Sequence, residues 1–119
     1  MIDETTQKEL DALIACLEEH KGEDIVTIDV SESSPFASAV VIATCPNPRA
    51  LGAMQGHLED TLEQNGIEVA VKEGEPDSGW VITQGQEVIV HLLLAGNRRV
   101  LDLETLLAQV NEKFAPKKK

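Results

Sequence analysis

Asp77, Ser78 and His91 are the residue types of a hydrolytic triad, and Glu73 with Glu75 form an acidic pair at a spacing that could share a metal ion. Each arrangement needs a frame before it is chemistry. A serine nucleophile needs a base within hydrogen-bond reach and a sharp turn that exposes its hydroxyl. Here Asp77 and Ser78 are adjacent in a turn-forming stretch, and no Gly-x-Ser-x-Gly elbow surrounds the serine. Metal-assisted nucleotidyl transfer needs carboxylates at alternate positions of a strand, where both face one side. The first strand-like segment offers only Asp29 and the second none, while Glu73 and Glu75 share a loop with Gly74 and Pro76. No catalytic residue, metal or cofactor is therefore assigned. His20, His57 and His91 are scattered without the ligand spacing of a zinc site. Cys45 has only Arg49 nearby to lower its pKa, so it reads as an inert thiol, and Cys16 lies on an apolar helical stripe. His91 interrupts an apolar strand and reads as a core histidine rather than a catalyst.

What remains is recognition. The run Glu73-Gly74-Glu75-Pro76-Asp77-Ser78-Gly79-Trp80 joins three acids to the only Trp of the chain. A large ring beside fixed negative charge suits an interface, where Trp is enriched among the residues that dominate binding. The plainer explanation is a loop whose Trp caps the core, since Trp is highly buried on average.

The charge distribution narrows the partner. The net charge is −11, but residues 1–97 hold 18 acids and 4 bases, whereas residues 98–119 hold 3 acids and 6 bases. Affinity for nucleic acid comes from neutralising phosphates with Lys and Arg, and the body of this chain opposes that. A basic protein partner fits the field, because opposite potentials speed encounter. No apolar run approaches the ~18 residues of a membrane span. The acidic start Met1-Ile2-Asp3-Glu4 lacks a signal-peptide pattern, so a cytoplasmic protein is expected.

These residues need elements to position them. With 119 residues, 42% of them hydrophobic, the chain can fill one core. A single domain over 1–116 is expected, with a frayed basic tail at 117–119. Thr6 followed by Glu9 resembles a capping box, and Leu10, Leu13, Ile14 and Leu17 then recur at helical spacing up to a stop at Gly22. Residues 25–30 and 39–44 are strand-like, the second apolar throughout, as in a strand covered on both faces. Asn47-Pro48 is a helix start, Leu51, Met54, Leu58 and Leu62 mark its buried side, and Asn65-Gly66 stops it. Gly52 and Gly56 within that helix imply that something presses on their face. Three strands follow at 68–72, 80–83 and 87–94, with Gln84-Gly85-Gln86 turning a hairpin. Asp102, Leu103, Leu106, Leu107, Val110 and Phe114 predict a last helix. The order α-β-β-α-β-β-β-α implies an α/β or α+β domain: one mixed five-stranded sheet flanked by helices, with a parallel crossover through the second helix.

The stretch from Glu73 to Val81, followed by Val88-Ile89-Val90-His91, closely resembles the Iojap, or ribosomal silencing factor, family. Gly22-Glu23-Asp24-Ile25-Val26, Asp29-Val30, Ser33-Ser34, Val41-Ile42-Ala43-Thr44, Arg98-Arg99 and Asp102-Leu103-Glu104 keep the same order and spacing, so the resemblance covers about residues 8–108. It implies a sheet shaped like that of nucleotidyltransferases without their catalytic carboxylates. It also implies a non-enzymatic translation repressor. Such a factor binds the large ribosomal subunit at its basic fourteenth protein and sterically blocks association with the small subunit. In this reading Trp80 is the apolar anchor, and Glu75, Asp77 and Glu87 accept from Lys or Arg of the partner. The family is often dimeric, so a homodimer is expected as well. This chain departs from the pattern at Ser38-Ala39, where an acid and an aromatic are usual, at Cys45 for Gly, at Glu87 for Asp, and at Leu101 and Leu107 for Tyr and Trp. The rival expectations are a small metal-dependent nucleotidyltransferase-like enzyme and a homodimeric interaction domain that has lost silencing.

Overall fold

The first helix begins earlier than the Thr6 start predicted above, because Asp3 is its cap. In the computed structural model, which describes residues 3–32 and 37–96, α1 spans Glu4–Glu19 and the Asp3 carboxylate accepts the Thr6 N–H at 2.7 Å. The capping box does not form. Thr6 lies inside the first turn, and Glu9 turns inward, 2% exposed, to a distant part of the chain. At the other end His20 is the cap and Lys21 takes a left-handed φ of 65°. The bonds Lys21 N–H to Glu18 O (3.2 Å) and Gly22 N–H to Leu17 O (2.6 Å) complete a Schellman motif. The stop thus forms at Gly22 as predicted, but with a lysine at the left-handed position, where glycine would cost least.

The second helix follows its sequence signals. α2 spans Pro48–Gln64, the Asn47 side chain accepts the Ala50 N–H at 2.8 Å, and Asn65-Gly66 end it with Ile67 N–H on Leu62 O. Leu51, Met54, Leu58 and Leu62 are buried as expected, together with Gln55. Of the two helical glycines, only Gly52 is pressed: a Cβ there would lie 3.3 Å from Pro76, whereas nothing lies within 4 Å of Gly56.

The strands are β1 (Glu23–Asp29), β2 (Ala39–Cys45), β3 (Val71–Glu73), β4 (Trp80–Gln84) and β5 (Val88–Leu94), with one turn of 3-10 helix at Pro76–Ser78. They form one mixed sheet in the order β1-β2-β5-β4-β3. β2 and β5 run parallel, and the other three pairs are antiparallel. β3 is shorter than the 68–72 segment predicted and starts later. The eighth element, the predicted last helix, lies outside the described residues, as does the 117–119 tail.

Alternation along the strands separates two apolar layers. Ala39, Val41, Ala43 and Cys45 of β2, with Val81, Val88, Val90 and Leu92, pack under α1 and α2. Val40, Ile42 and Leu93 point to the opposite face, where Val30, Ile28, Ile89 and Trp80 join them. Both described helices therefore serve the same layer, and β2, buried at all seven positions, is covered on both sides as its sequence predicts. Among the described residues one buried side-chain polar atom lacks a partner, the hydroxyl of Thr83.

Candidate functional site

Trp80 opens β4, and the acidic run before it is a tight turn rather than a loose loop. Ser78 N–H donates to Glu75 O at 2.9 Å and Gly79 N–H to Pro76 O at 3.0 Å. The Ser78 hydroxyl donates to Glu75 O at 2.6 Å, and the Trp80 N–H approaches its oxygen at 3.4 Å. Ser78 is thus spent on the turn, far from a nucleophile's setting. Pro76 rests on Gly52 of α2, which fixes the turn to the body. Glu75 and Asp77 project as exposed side chains immediately before Trp80.

Trp80 itself is half-buried. Its ring lies on the second apolar layer, and its indole N–H donates to Nδ1 of His91 at 3.0 Å. The ring centroids are 5.9 Å apart with planes tilted by 33°. Burial holds the His91 pKa down to about 4 from its ordinary 6.5, which suits a neutral ring accepting the indole hydrogen bond at Nδ1. In the unfolded chain His91 takes up a proton from solvent near 6.5, whereas in the folded chain it resists protonation until about 4. Stability is therefore full above pH 6.5 and falls as pH drops through that window, with a slope approaching one proton. Denaturation midpoints of the wild type from pH 7.5 to 4 should show this fall. In His91→Asn, which has no titrating ring, it should be shallower by that proton.

The four residues proposed from sequence do not form one cluster. Glu75, Asp77 and Trp80 lie together at one end of β4. Trp80 pairs with Leu93 and Gln84 with Ile89, so Glu87 stands beyond the other end of the strand, roughly 17–20 Å away at strand rise. Glu87 is also engaged within the chain: its carboxylate accepts the Ser38 hydroxyl at 2.7 Å, and its carbonyl accepts the Ser38 and Ala39 N–H groups. Its own N–H and that of Val88 donate to the Glu9 carboxylate at 3.0–3.2 Å. Glu9, placed by its spacing from Thr6 in a local cap, instead reaches across the fold, and burial raises its pKa.

Other candidates settle into structural roles. Cys45 is 1% exposed and burial raises its thiol to about 11, while Cys16 is also buried and raised; both are free thiols. His20 and His57 stack with centroids 3.6 Å apart and nearly parallel planes, tying the end of α1 to α2. Lone pairs of parallel stacked rings do not converge on one ion. No group of three or more His, Cys, Asp or Glu among the described residues could hold a metal. Ala39, one of the positions where an aromatic is usual in the resembling family, is fully buried under the helices, so its size affects packing and not the surface. Leu101 and Leu107 lie outside the described residues. No described helix is long and apolar enough to cross a membrane.

Comparison with known proteins adds ancestry to this geometry. A Chromobacterium violaceum protein named ribosomal silencing factor is 28% identical over 102 residues, covering 86% of this chain and 84% of the relative. A Haemophilus influenzae protein of the same name is 30% identical over 96 residues, covering 81% and 94%. A crystal structure of a Chromobacterium violaceum protein superposes with a TM-score of 0.80 at 28% identity, covering 84% of this chain and 83% of that one. The profile of the family described as "Ribosomal silencing factor during starvation" matches residues 3–119, and on that match this α+β chain belongs to the ribosomal silencing factor family.

Proposed function

We propose that this chain is a non-enzymatic repressor of translation. It docks on the large ribosomal subunit at its basic fourteenth protein and keeps the small subunit off by occupying the shared surface. The observation that supports this most directly is the pairing of Trp80 with an exposed acidic turn in a member of this family. Glu75 and Asp77 steer a basic partner, and the Trp80 ring supplies apolar area beside them. Glu87, distant and bound to Ser38, contributes at most to the outer rim of such a surface. No bond is made or broken in this mechanism, and no cofactor or metal enters it. The place of action is the cytoplasm, where subunits join.

Truncating a central Trp typically costs ~2 kcal/mol or more at an interface, so Trp80→Ala should weaken binding to purified large subunits at least about 30-fold in co-sedimentation. Because Trp80 also packs on the second layer, a second variant separates docking from folding: Glu75→Lys with Asp77→Lys, both exposed, should leave the unfolding midpoint in place and slow association. Wild-type protein added to dissociated subunits should hold back their reassociation, less so at high salt. Unimpeded reassociation at saturating protein would rule the proposal out.

A further inference from the structure

Trp80 and His91 sit on adjacent antiparallel strands, and they face the same side. His91 is directly opposite Ile82, and Trp80 opposite Leu93, so the two rings are diagonal neighbours within reach of each other. An indole can only donate at its nitrogen, so the 3.0 Å bond requires Nδ1 of His91 to be the acceptor. In a neutral imidazole that places the remaining proton on Nε2. The bond therefore fixes two things together, the rotation of the Trp80 ring and the tautomer of His91. Packing on the second apolar layer covers only part of the Trp80 ring, and the bond adds a directional restraint to it.

We propose that His91 is a positioning residue for docking: by accepting the Trp80 indole N–H at Nδ1 it holds the ring in the orientation the partner meets. This rests on the docking role given to Trp80 above. An anchor already ordered in the free protein loses less freedom on binding, and ordering one side chain is worth about 3- to 10-fold in affinity. Removing the acceptor while keeping an apolar ring should lose that factor. Restoring an acceptor at the same place should recover it, and Asn is the natural choice because its side-chain oxygen falls near the position of Nδ1.

Three measurements test this. In wild-type protein, two-dimensional long-range nitrogen–proton spectra should show His91 as a single Nε2–H tautomer, and Trp80→Phe should release it to a mixture. Fluorescence anisotropy decay of the lone Trp80 should show fast local motion in His91→Phe that is absent in wild type and His91→Asn. In large-subunit binding, His91→Phe should be about 3- to 10-fold weaker and His91→Asn within about twofold of wild type. A mixed tautomer in the wild type, or wild-type affinity for His91→Phe, overturns the proposal. If His91→Phe does not fold, the wild-type tautomer and the affinity of His91→Asn still decide it, since an unchanged mixture or a tenfold loss with Asn contradicts the assignment. Trp80→Ala in the same assay separates the two ideas. Wild-type binding by that variant removes the docking role of Trp80, whereas weak binding by Trp80→Ala beside full binding by His91→Phe removes only the role of His91.

Discussion

Replacing Glu9 with alanine should lower the unfolding free energy by about 3 kcal/mol, the cost of leaving buried N–H groups without acceptors. The Glu9 carboxylate accepts from Glu87 and Val88 at 3.0–3.2 Å, and these are the donors that would be stranded at the start of the central strand. A chain of this size should lose roughly 10 °C in midpoint temperature. The denaturant slope should stay constant, because the surface exposed on unfolding hardly changes. A drop below about 1 kcal/mol would mean that water replaces the carboxylate without penalty. The buried charge also has a pH signature. Burial raises the Glu9 pKa above its ordinary 4.5, so the folded state holds the proton more tightly than the unfolded chain. The stability from that difference is full below 4.5 and is lost as pH rises through the folded value. The margin of wild type over Glu9→Gln should therefore shrink as pH rises from 4.5 through the raised folded value.

The second large effect belongs to Gly74, where β3 ends and the acidic turn begins. Its φ is 93°, and a Cβ there would run into the carbonyl oxygen of Trp80 and lie 2.9 Å from the Cα of Val81. Both neighbours are backbone and cannot step aside as a flexible side chain would. Gly74→Ala should cost roughly 3 kcal/mol, from the left-handed strain together with a displaced strand. Gly66 is the control. Its φ is 71° with nothing within 4 Å of the added carbon, so Gly66→Ala should show the strain alone, about 1 kcal/mol. A Gly74 variant that also moves the Trp80 backbone should lose affinity for the large subunit, whereas the Gly66 variant should not. Equal losses of stability in the two would show that the close approach to Trp80 carries no cost.

Much of the architecture was legible in the sequence because it rests on local signals. Asn47-Pro48 and Asn65-Gly66 delimit α2 as predicted, and the apolar run of β2 reports burial on both faces. The errors come from interactions at long sequence separation. Thr6 and Glu9 look like a capping box, but Asp3 already satisfies the first turn, which leaves Glu9 free to reach the hairpin. The hairpin register also differs from the expected one, at the place where Glu9 docks. A turn at Gln84-Gly85-Gln86 would set Thr83 opposite Glu87, whereas Thr83 is opposite Val90. The Gly85 N–H donates to Val88 O at 3.1 Å, so the chain reverses at Gln86-Glu87, while the Glu87 and Val88 N–H groups go to the Glu9 carboxylate. A shift by an odd number of residues exchanges the faces of a strand, so the contact of Trp80 with His91 could not be foreseen from a turn at Gln84-Gly85-Gln86. Of the site, the acidic turn and Trp80 stand together as their adjacency suggests. Glu87 does not, because adjacency in sequence says nothing about opposite ends of a hairpin.

The strand order carries a consequence for synthesis. β5 is the last of the described strands to be made, yet it is the central one, paired to β2 on one side and β4 on the other. Until it emerges, β1–β2 and β3–β4 are separate pieces, each with an unpaired edge. At 5–20 residues per second, the ~50 residues between the end of β2 and the end of β5 take roughly 2–10 s to appear. For that interval the apolar β2 waits with an open edge, and its final partner is still inside the translating ribosome.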